Sequence, residues 1–251
     1  MTGRLTILGL GPGADSLVTP EARAALARAS DLLGYGPYLD RVAAAPGQRK
    51  HPTDNRVELD RARHGLELAA NGADVAMVSS GDPGVFAMAA AVFEAVESGP
   101  LPWRALDIEV LPGITAMLAA AARAGAPLGH DFCAINLSDN LKPQALIEKR
   151  LRLAVEADFA LAFYNPRSKA RPEGFGRALD ILRDAAQDAR PVIFARAVST
   201  NAEEIRTVPL PEATSEMADM RTLVIVGSSA TRLIPREGRR PFVYTPRAVV
   251  P

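Results

Sequence analysis

The chain has 251 residues, with 29 basic and 29 acidic side chains, three histidines and one cysteine. This length permits a large core in one or two domains, and the balanced charge excludes a global field that attracts nucleic acid or an acidic membrane. The single cysteine, Cys133, excludes an intrachain disulfide and a thiolate metal cluster, and the histidines have no metal-ligand spacing. No apolar stretch is long enough to span a membrane, and we therefore expect a cytoplasmic protein without a bound metal.

The first half of the chain alternates apolar, strand-prone runs with alanine-rich or amphipathic helical segments. The pattern predicts strands at 5–8, 32–35, 75–79 and 108–111, and helices at 21–30, 57–71, 86–98 and 117–124. Residues 43–53 are rich in proline, glycine and basic side chains, which predicts an irregular, mobile connection. The β-α order predicts an α/β fold with a mostly parallel sheet and helices on both of its faces.

The second half mixes helices with more closely spaced strands, which predicts a second α/β domain with a mixed sheet. The pattern predicts strands at 132–137, 159–163, 192–195, 205–208 and 223–226, and helices at 143–155 and 177–186. A Gly/Pro-rich segment follows Ala124, and we place a domain boundary there, giving domains at 1–124 and 125–251. The tail at 232–251 has basic residues and four prolines and need not belong to the core. A cleft between two such domains is a natural ligand site.

Several strands end in turns of small or polar residues, where open α/β sheets bind ligands. In the turn at 80–85, Asp82 either caps an Asx turn or binds ligand hydroxyl or ammonium groups. Thr115 precedes a predicted helix and is either its N-cap or a contact for a ligand. Tyr35 and Tyr38 either pack within a loop or form a platform for a flat apolar ligand.

Other motifs are weaker or missing. Residues 9–14 fit a dinucleotide-binding fingerprint, but the next helix starts later, near Thr19, and Asp31 precedes its strand instead of ending it. Cys133 lies within an apolar strand, and we expect it to be an inert core residue. No nucleophile motif or P-loop is present, so the residues indicate chemistry by positioning rather than covalent or metal catalysis.

Four motifs occur in an order and spacing that resemble the tetrapyrrole methylases, the S-adenosylmethionine-dependent methyltransferases of the cobalamin and sirohaem pathways. The motifs lie at 9–13, 80–85, 112–116 and 164–166. Segments at 34–40, 137–143 and 163–169 resemble the branch of this family that methylates C17 of precorrin-3B. Pro83 departs from that branch, in which alanine usually follows the aspartate.

The resemblance implies a two-domain homodimer that transfers a methyl group from S-adenosyl-L-methionine to C17 of a tetrapyrrole, with coupled ring contraction. S-adenosyl-L-homocysteine would be the second product. Matched position by position, the implied donor contacts are Leu10, Gly11, Pro12, Gly81, Asp82, Val85, Thr115, Ala116, Tyr164, Ala195, Ala197 and Thr222. The absence of an iron–sulfur cysteine set favours the metal-free substrate, precorrin-3B, over its cobalt-containing counterpart.

A substrate with many carboxylates requires arginine or lysine at its site. The predicted substrate contacts are Tyr35, Tyr38, Asn165, Arg167, Lys169, Arg171 and Arg196, and each of the four basic residues could equally be a surface charge. Ring contraction requires deprotonation of the C20 hydroxyl, and Asp139 is the candidate base, although it could equally cap the following helix. Two alternatives stay open, namely another methyltransferase of the cobalamin or sirohaem pathway and a non-catalytic tetrapyrrole-binding protein.

Overall fold

The computed structural model describes residues 3–55 and 57–248, and the last three residues of the predicted tail lie outside this range. The chain divides into two compact α/β units between Thr115 and Ala116. The domain boundary that we place after Ala124 stays a prediction, and the helix before it groups with the second unit. Within the described residues, no helix is both long enough and apolar enough to cross a membrane.

Unit 1 contains a five-stranded parallel sheet. Its strands are β1 (Arg4–Gly9), β2 (Asp31–Tyr35), β3 (Arg49–Thr53), β4 (Asp74–Ser79) and β5 (Asp107–Leu111). They lie in the order β3-β2-β4-β1-β5, and every pair is parallel. The central strands β1 and β4 are buried along nearly their whole length, as strands of a sheet covered on both faces should be. The predicted parallel sheet is therefore confirmed.

Helices cover both faces of this sheet. They are α1 (Pro20–Arg28), α2 (Gly36–Leu39), α3 (Glu58–Ala70) and α4 (Met88–Ser98). One core joins α3 and α4 to Leu5 and Ile7 of β1, and the other joins α1 and α2 to Leu8. Thr19 caps α1 as its position predicts, because its hydroxyl accepts a hydrogen bond from Ala22 N at 3.2 Å. The helix predicted from residue 86 begins two residues later, since Phe86 has a left-handed φ of 53°.

The prediction of an irregular connection up to residue 53 was wrong, because its last five residues form strand β3. β3 lies at the edge of the sheet and is largely exposed, so it lacks the apolar alternation that identifies a strand. Pro52 is tolerated there, as edge strands permit proline. Polar side chains attach the strand, since Arg49 and His51 both contact the buried Asp31 and Lys50 Nζ donates to Leu39 O at 2.8 Å.

Unit 2 contains a mixed sheet, as predicted. The strands of this unit are β6 (Gly125–Ala126), β7 (Phe132–Asn136), β8 (Ala160–Tyr164), β9 (Pro191–Arg196), β10 (Glu204–Pro209), β11 (Thr222–Val226), β12 (Arg232–Arg236) and β13 (Arg239–Tyr244). Its helices are α5 (Ala116–Ala124), α6 (Gln144–Glu156) and α7 (Gly174–Ala186). Five strands lie in the order β10-β9-β11-β8-β7, where β7 and β8 are parallel and the other pairs antiparallel.

The tail forms regular structure with the rest of unit 2, which its composition does not indicate. β12 and β13 form a hairpin, and β13 pairs with β6 to complete a three-stranded sheet. Val243 is buried, and the buried Thr245 hydroxyl donates to Pro127 O at 2.6 Å. The tail therefore packs against unit 2 through at least residue 245, although its composition alone did not require it to belong to the core.

Candidate functional site

Three of the predicted loops of unit 1 lie side by side, because they follow the neighbouring strands β4, β1 and β5. Residues 9–13 are predicted to contact the methyl donor, and we call them the donor loop. Gly11 of this loop pairs with Gly81, with Gly11 N donating to Gly81 O at 3.2 Å and Gly81 N donating to Gly11 O at 2.9 Å. Leu10 N donates to Ser79 O at 2.8 Å. The donor loop is therefore bound by three backbone hydrogen bonds, one to the last residue of β4 and two to the loop that follows it.

Glycines allow these loops to approach each other closely. A Cβ added to Gly113 would lie 2.1 Å from Gly81 O, and one added to Gly9 would lie 2.3 Å from the same oxygen. Neither distance is compatible with a real side chain, and the obstacle in both cases is the same backbone oxygen. The glycines at the ends of β1 and β5 are thus needed for the packing of backbone on backbone at this edge of the sheet.

Asp82 is a structural acid in this arrangement. Its Oδ1 accepts a hydrogen bond from Gly84 N at 2.7 Å, which is the Asx-turn role that the sequence left open. Its Oδ2 accepts another from Gly113 N at 3.0 Å, a contact that the sequence did not reveal. Val85 N donates to the carbonyl of Asp82 at 3.3 Å. A direct contact between Asp82 and a ligand stays a prediction.

Sequence reasoning missed Arg41, which contacts the backbone of the donor loop. Its Nη2 lies 2.6 Å from Leu10 O and 3.2 Å from Gly13 O, and its Nη1 lies 3.4 Å from Gly11 O. Burial lowers the pKa of Arg41, an effect that Asp15 and Tyr38 partly offset. A basic residue just after α2 carries no sequence signal of this role, because the contact spans about thirty residues of chain.

The two tyrosines predicted to contact substrate lie together at the end of β2. Their rings meet edge to face with centroids 5.2 Å apart. Tyr38 packs against the core that contains Leu10 and Leu39, and burial raises the pKa of its hydroxyl. This packing is the loop role that the sequence left open for Tyr38. Tyr35 is half-buried, and a platform role for either ring stays a prediction.

In unit 2, the side chain of Tyr164, the last residue of β8, reaches the beginning of α5. Its hydroxyl accepts a hydrogen bond from Met117 N at 3.2 Å, so it satisfies one of the free amides of that helix. Ala116 is the first residue of α5, and Thr115, which directly precedes it, is buried. The predicted donor contacts at the helix and at the end of β8 are therefore adjacent within unit 2.

The end of β9 has strained backbone. Ala197 and Ser199 have left-handed φ values of 47° and 64°, which cost free energy in residues other than glycine and concentrate at functional sites. Glu203 holds this turn, because its Oε2 accepts from Ser199 N at 2.7 Å and from Arg123 Nε of α5 at 3.0 Å. Two other predicted donor contacts, Ala195 and Thr222, are buried, and the Thr222 hydroxyl donates to Asp219 at 2.7 Å.

The ends of β7 and β8 bring together two predicted substrate contacts, Asn165 and Arg171, and the candidate base Asp139. Asn165, also with a left-handed φ of 51°, donates to Asn136 Oδ1 at 3.2 Å. Arg171 Nε lies 3.7 Å from Asp139 Oδ1, and both residues line a hollow of about 210 Å³. The alternative that Asp139 caps the following helix is wrong, because α6 begins after Pro143 with no side-chain cap.

The remaining predicted cations differ in their surroundings. Arg196 pairs with Asp219 at 2.8 Å and lines a second hollow of about 470 Å³, and Lys169 is exposed. Arg167 has a buried Nε with no hydrogen-bond partner among the described residues. Sequence reasoning also missed Lys142, whose pKa is lowered by burial and by Arg150 and Arg171, and whose Nζ donates to Ser138 O at 3.2 Å.

The fold and these loops match a known class of protein. The family model for the tetrapyrrole (corrin/porphyrin) methylases matches residues 4–214. Because this is most of the chain, the protein belongs to the tetrapyrrole methylase family and is a methyltransferase.

Individual relatives are similar over nearly the whole length. The chain is 55% identical over 247 residues to the precorrin-3B C(17)-methyltransferase of a Sinorhizobium species, covering 98% of this chain and 97% of that protein. It is 41% identical to the probable cobalt-factor III C(17)-methyltransferase of Salmonella typhimurium, over 90% of this chain and 93% of that one. The crystal structure of the methyltransferase CobJ superposes with a TM-score of 0.93 and 62% identity, over 98% of this chain and 100% of that one.

Proposed function

We propose that this protein is a precorrin-3B C17-methyltransferase of cobalamin biosynthesis, which transfers a methyl group from S-adenosyl-L-methionine to C17 with coupled ring contraction. The observation that carries the proposal is the 55% identity to the Sinorhizobium precorrin-3B enzyme over almost the full length of both chains. The lower identity of 41% to the cobalt-factor III enzyme supports the metal-free substrate.

The donor would bind to the ordered strand ends. In unit 1 the proposed contacts are the donor loop with Leu10, Gly11 and Pro12, the loop of Gly81, Asp82 and Val85, and Thr115. In unit 2 they are Ala116, Tyr164, Ala195, Ala197 and Thr222. A sulfonium methyl group is already activated, so the protein has to hold the donor and the ring carbon in line and exclude water. Loops fixed by backbone hydrogen bonds and close glycine contacts support such a positioning role.

The substrate carboxylates would bind the basic residues of unit 2, namely Arg167, Lys169, Arg171 and Arg196. The buried Arg167 Nε, which lacks a partner among the described residues, supports an anionic ligand near this loop. Asp139 is the proposed base for the C20 hydroxyl. Its position 3.7 Å from Arg171, beside a hollow, supports this role, since a base must lie next to the groups that bind the substrate.

Incubation of the purified protein with S-adenosyl-L-methionine and precorrin-3B, followed by mass analysis and optical spectroscopy, tests the proposal. We expect a product with one added methyl group and a contracted ring. One added methyl group on an unrearranged ring would instead support another methyltransferase of the pathway. A parallel incubation with the cobalt-containing substrate tests the preference for metal-free precorrin-3B.

A homodimer and a cytoplasmic location belong to the same proposal. Large apolar side chains exposed to solvent support self-association, and those of unit 1 are Leu59, Phe86, Phe93, Leu101 and Val110. Light scattering on the purified protein should give twice the chain mass, and a monomer at micromolar concentration would contradict the dimer. The need for a cellular supply of S-adenosyl-L-methionine supports the cytoplasmic location, and cell fractionation tests it.

A further inference from the structure

The side chain of Arg41 donates hydrogen bonds to backbone carbonyl oxygens of the donor loop, not to the side chains of that loop. We propose that Arg41 is a positioning residue for methyl-donor binding, keeping the donor loop in one conformation before the donor arrives. The inference rests on the proposed function, because that function assigns S-adenosyl-L-methionine to this loop. It gives a role in donor affinity to a residue outside all the predicted donor and substrate contacts.

The geometry suits a guanidinium group specifically. Three carbonyl oxygens, on both sides of Pro12, converge on the two terminal nitrogens of Arg41 at 2.6, 3.2 and 3.4 Å. Carbonyl dipoles that point at one place repel each other unless a cation lies between them. A planar fork reaches several acceptors at once, whereas the ammonium of lysine is a single point charge on a flexible stem. Arg41 therefore stabilises a turn that the loop would not keep alone.

Arg41 also takes part in the contact between the donor loop and the loop after β4. Gly11 O accepts a hydrogen bond from Gly81 N at 2.9 Å and a second from Arg41 Nη1 at 3.4 Å. The amides of Leu10 and Gly11 are bound on the other side by Ser79 O and Gly81 O. The loop is thus held towards β4 by the amides of Leu10 and Gly11 and by the carbonyl of Gly11, and towards Arg41 by three carbonyl groups. Removing the guanidinium frees the second of these two sides.

Arg61 provides a matched control within the same unit. Arg61 is buried and Arg41 is half-buried, burial lowers the pKa of both, and Arg61 also lies near Tyr38. Its nitrogens donate to Thr53 Oγ1 at 2.5 Å, Asp54 O at 2.7 Å and Met88 Sδ at 3.0 Å. None of these contacts involves the donor loop. A comparison of variants at the two positions therefore distinguishes the general effect of losing an arginine that is shielded from solvent from a specific effect on the loop.

Calorimetric titration of S-adenosyl-L-homocysteine into the purified full chain tests the proposal, with thermal unfolding of the ligand-free protein measured in parallel. We expect Arg41→Met to raise the Kd about tenfold or more, since several charge-assisted hydrogen bonds to the loop are lost. We expect Arg41→Lys to be intermediate. Arg61→Met should keep the Kd within about twofold of the wild type even where its Tm falls. In turnover, Arg41→Lys should raise KM for the donor more than it lowers kcat.

Wild-type affinity in Arg41→Met, or an equal loss of affinity in Arg61→Met, would overturn the proposal. If Arg41→Met does not fold, Arg41→Lys decides alone, because it keeps the charge and must still weaken donor binding. Failure of the wild-type protein to bind S-adenosyl-L-homocysteine would refute the proposed function itself. Normal binding by an Arg41 variant of a wild-type protein that does bind would refute only the role of Arg41, so the two failures are distinguishable.

Discussion

The carboxylate of Asp82 accepts a hydrogen bond from Gly113 N at 3.0 Å, joining two loops that follow strands on opposite sides of β1. β4 and β5 both pair with β1 but not with each other, so this side chain spans the end of β1. Gly9, at that end, has no side chain to obstruct the connection. One acid thus sets the distance between the loops that we propose to bind the methyl donor.

Removing this carboxylate should weaken both the fold of unit 1 and donor binding. We expect Asp82→Ala to lower the free energy of unfolding by about 1–3 kcal/mol and donor affinity by about tenfold, because two backbone amides lose their acceptor. Urea unfolding and calorimetric titration with S-adenosyl-L-homocysteine measure the two effects. Asp60→Ala, on the exposed face of α3, is the control for loss of a charge. Unchanged donor affinity in Asp82→Ala would restrict Asp82 to its turn.

Gly113 tests the close packing of the loops without altering any charge. The Cβ of Gly113→Ala would lie 2.1 Å from Gly81 O, so the loops must separate. We expect a loss of at least about 1 kcal/mol in the free energy of unfolding and a donor affinity reduced about tenfold. Gly36→Ala is the matched control, because a Cβ there meets no atom within 4 Å. Similar behaviour of the two variants would show that the approach of the loops is not required.

The stability of unit 1 should depend on pH through Asp31. Burial raises the pKa of this acid, but hydrogen bonds from Arg49, His51 and Ser30 outweigh that effect and lower the pKa from 3.8 to about 2. A carboxyl whose folded pKa is depressed stabilises the protein above its unfolded pKa and loses this contribution as the pH falls through the folded value. The shift corresponds to roughly 2 kcal/mol.

We therefore expect Asp31→Asn to lower the free energy of unfolding by roughly 2 kcal/mol at neutral pH. The difference from the wild type should shrink as the pH falls from about 4 towards 2. Chemical unfolding at several pH values measures it, and Asp60→Asn serves as an exposed control. A difference that stays constant over this range would mean that the contribution of Asp31 does not depend on its charge.

Asp139 allows catalysis to be separated from donor binding. If it removes the proton of the C20 hydroxyl, Asp139→Asn should stop ring contraction while S-adenosyl-L-homocysteine binds with its normal affinity. The amide keeps the shape of the side chain but cannot accept that proton. Single-turnover assays with precorrin-3B measure the loss, and Asp184→Asn on the exposed side of α7 is the control. Normal turnover in Asp139→Asn would exclude this residue as the base.

The regular elements could be predicted from the sequence because they depend on local pattern. Apolar runs such as Val75–Val78 and Leu223–Val226 are buried central strands, and the alternation with helices is enough to indicate a parallel sheet in unit 1. The glycines that follow β1, β4 and β5 likewise marked the places where the loops approach each other. Local composition and periodicity contain this information directly.

The elements that sequence reasoning missed depend on contacts between distant segments. β3 is an exposed edge strand attached by Arg49 and His51 to a single buried acid, and no periodicity records such a contact. The role of Arg41 depends on carbonyl oxygens about thirty residues away, which have no side-chain identity. An Asx-turn cap was one of two roles that the sequence left open for Asp82, and the structure shows it, but the second partner, Gly113, became visible only with the fold.

The central claim is methyl transfer to C17, and the position of the transferred carbon tests it most directly. The protein is incubated with precorrin-3B and S-adenosyl-L-methionine labelled with carbon-13 in its methyl group, and the product is analysed by NMR. We predict a single labelled methyl group on C17 of a contracted ring. A label on another carbon, or a product without label, would contradict the proposed function.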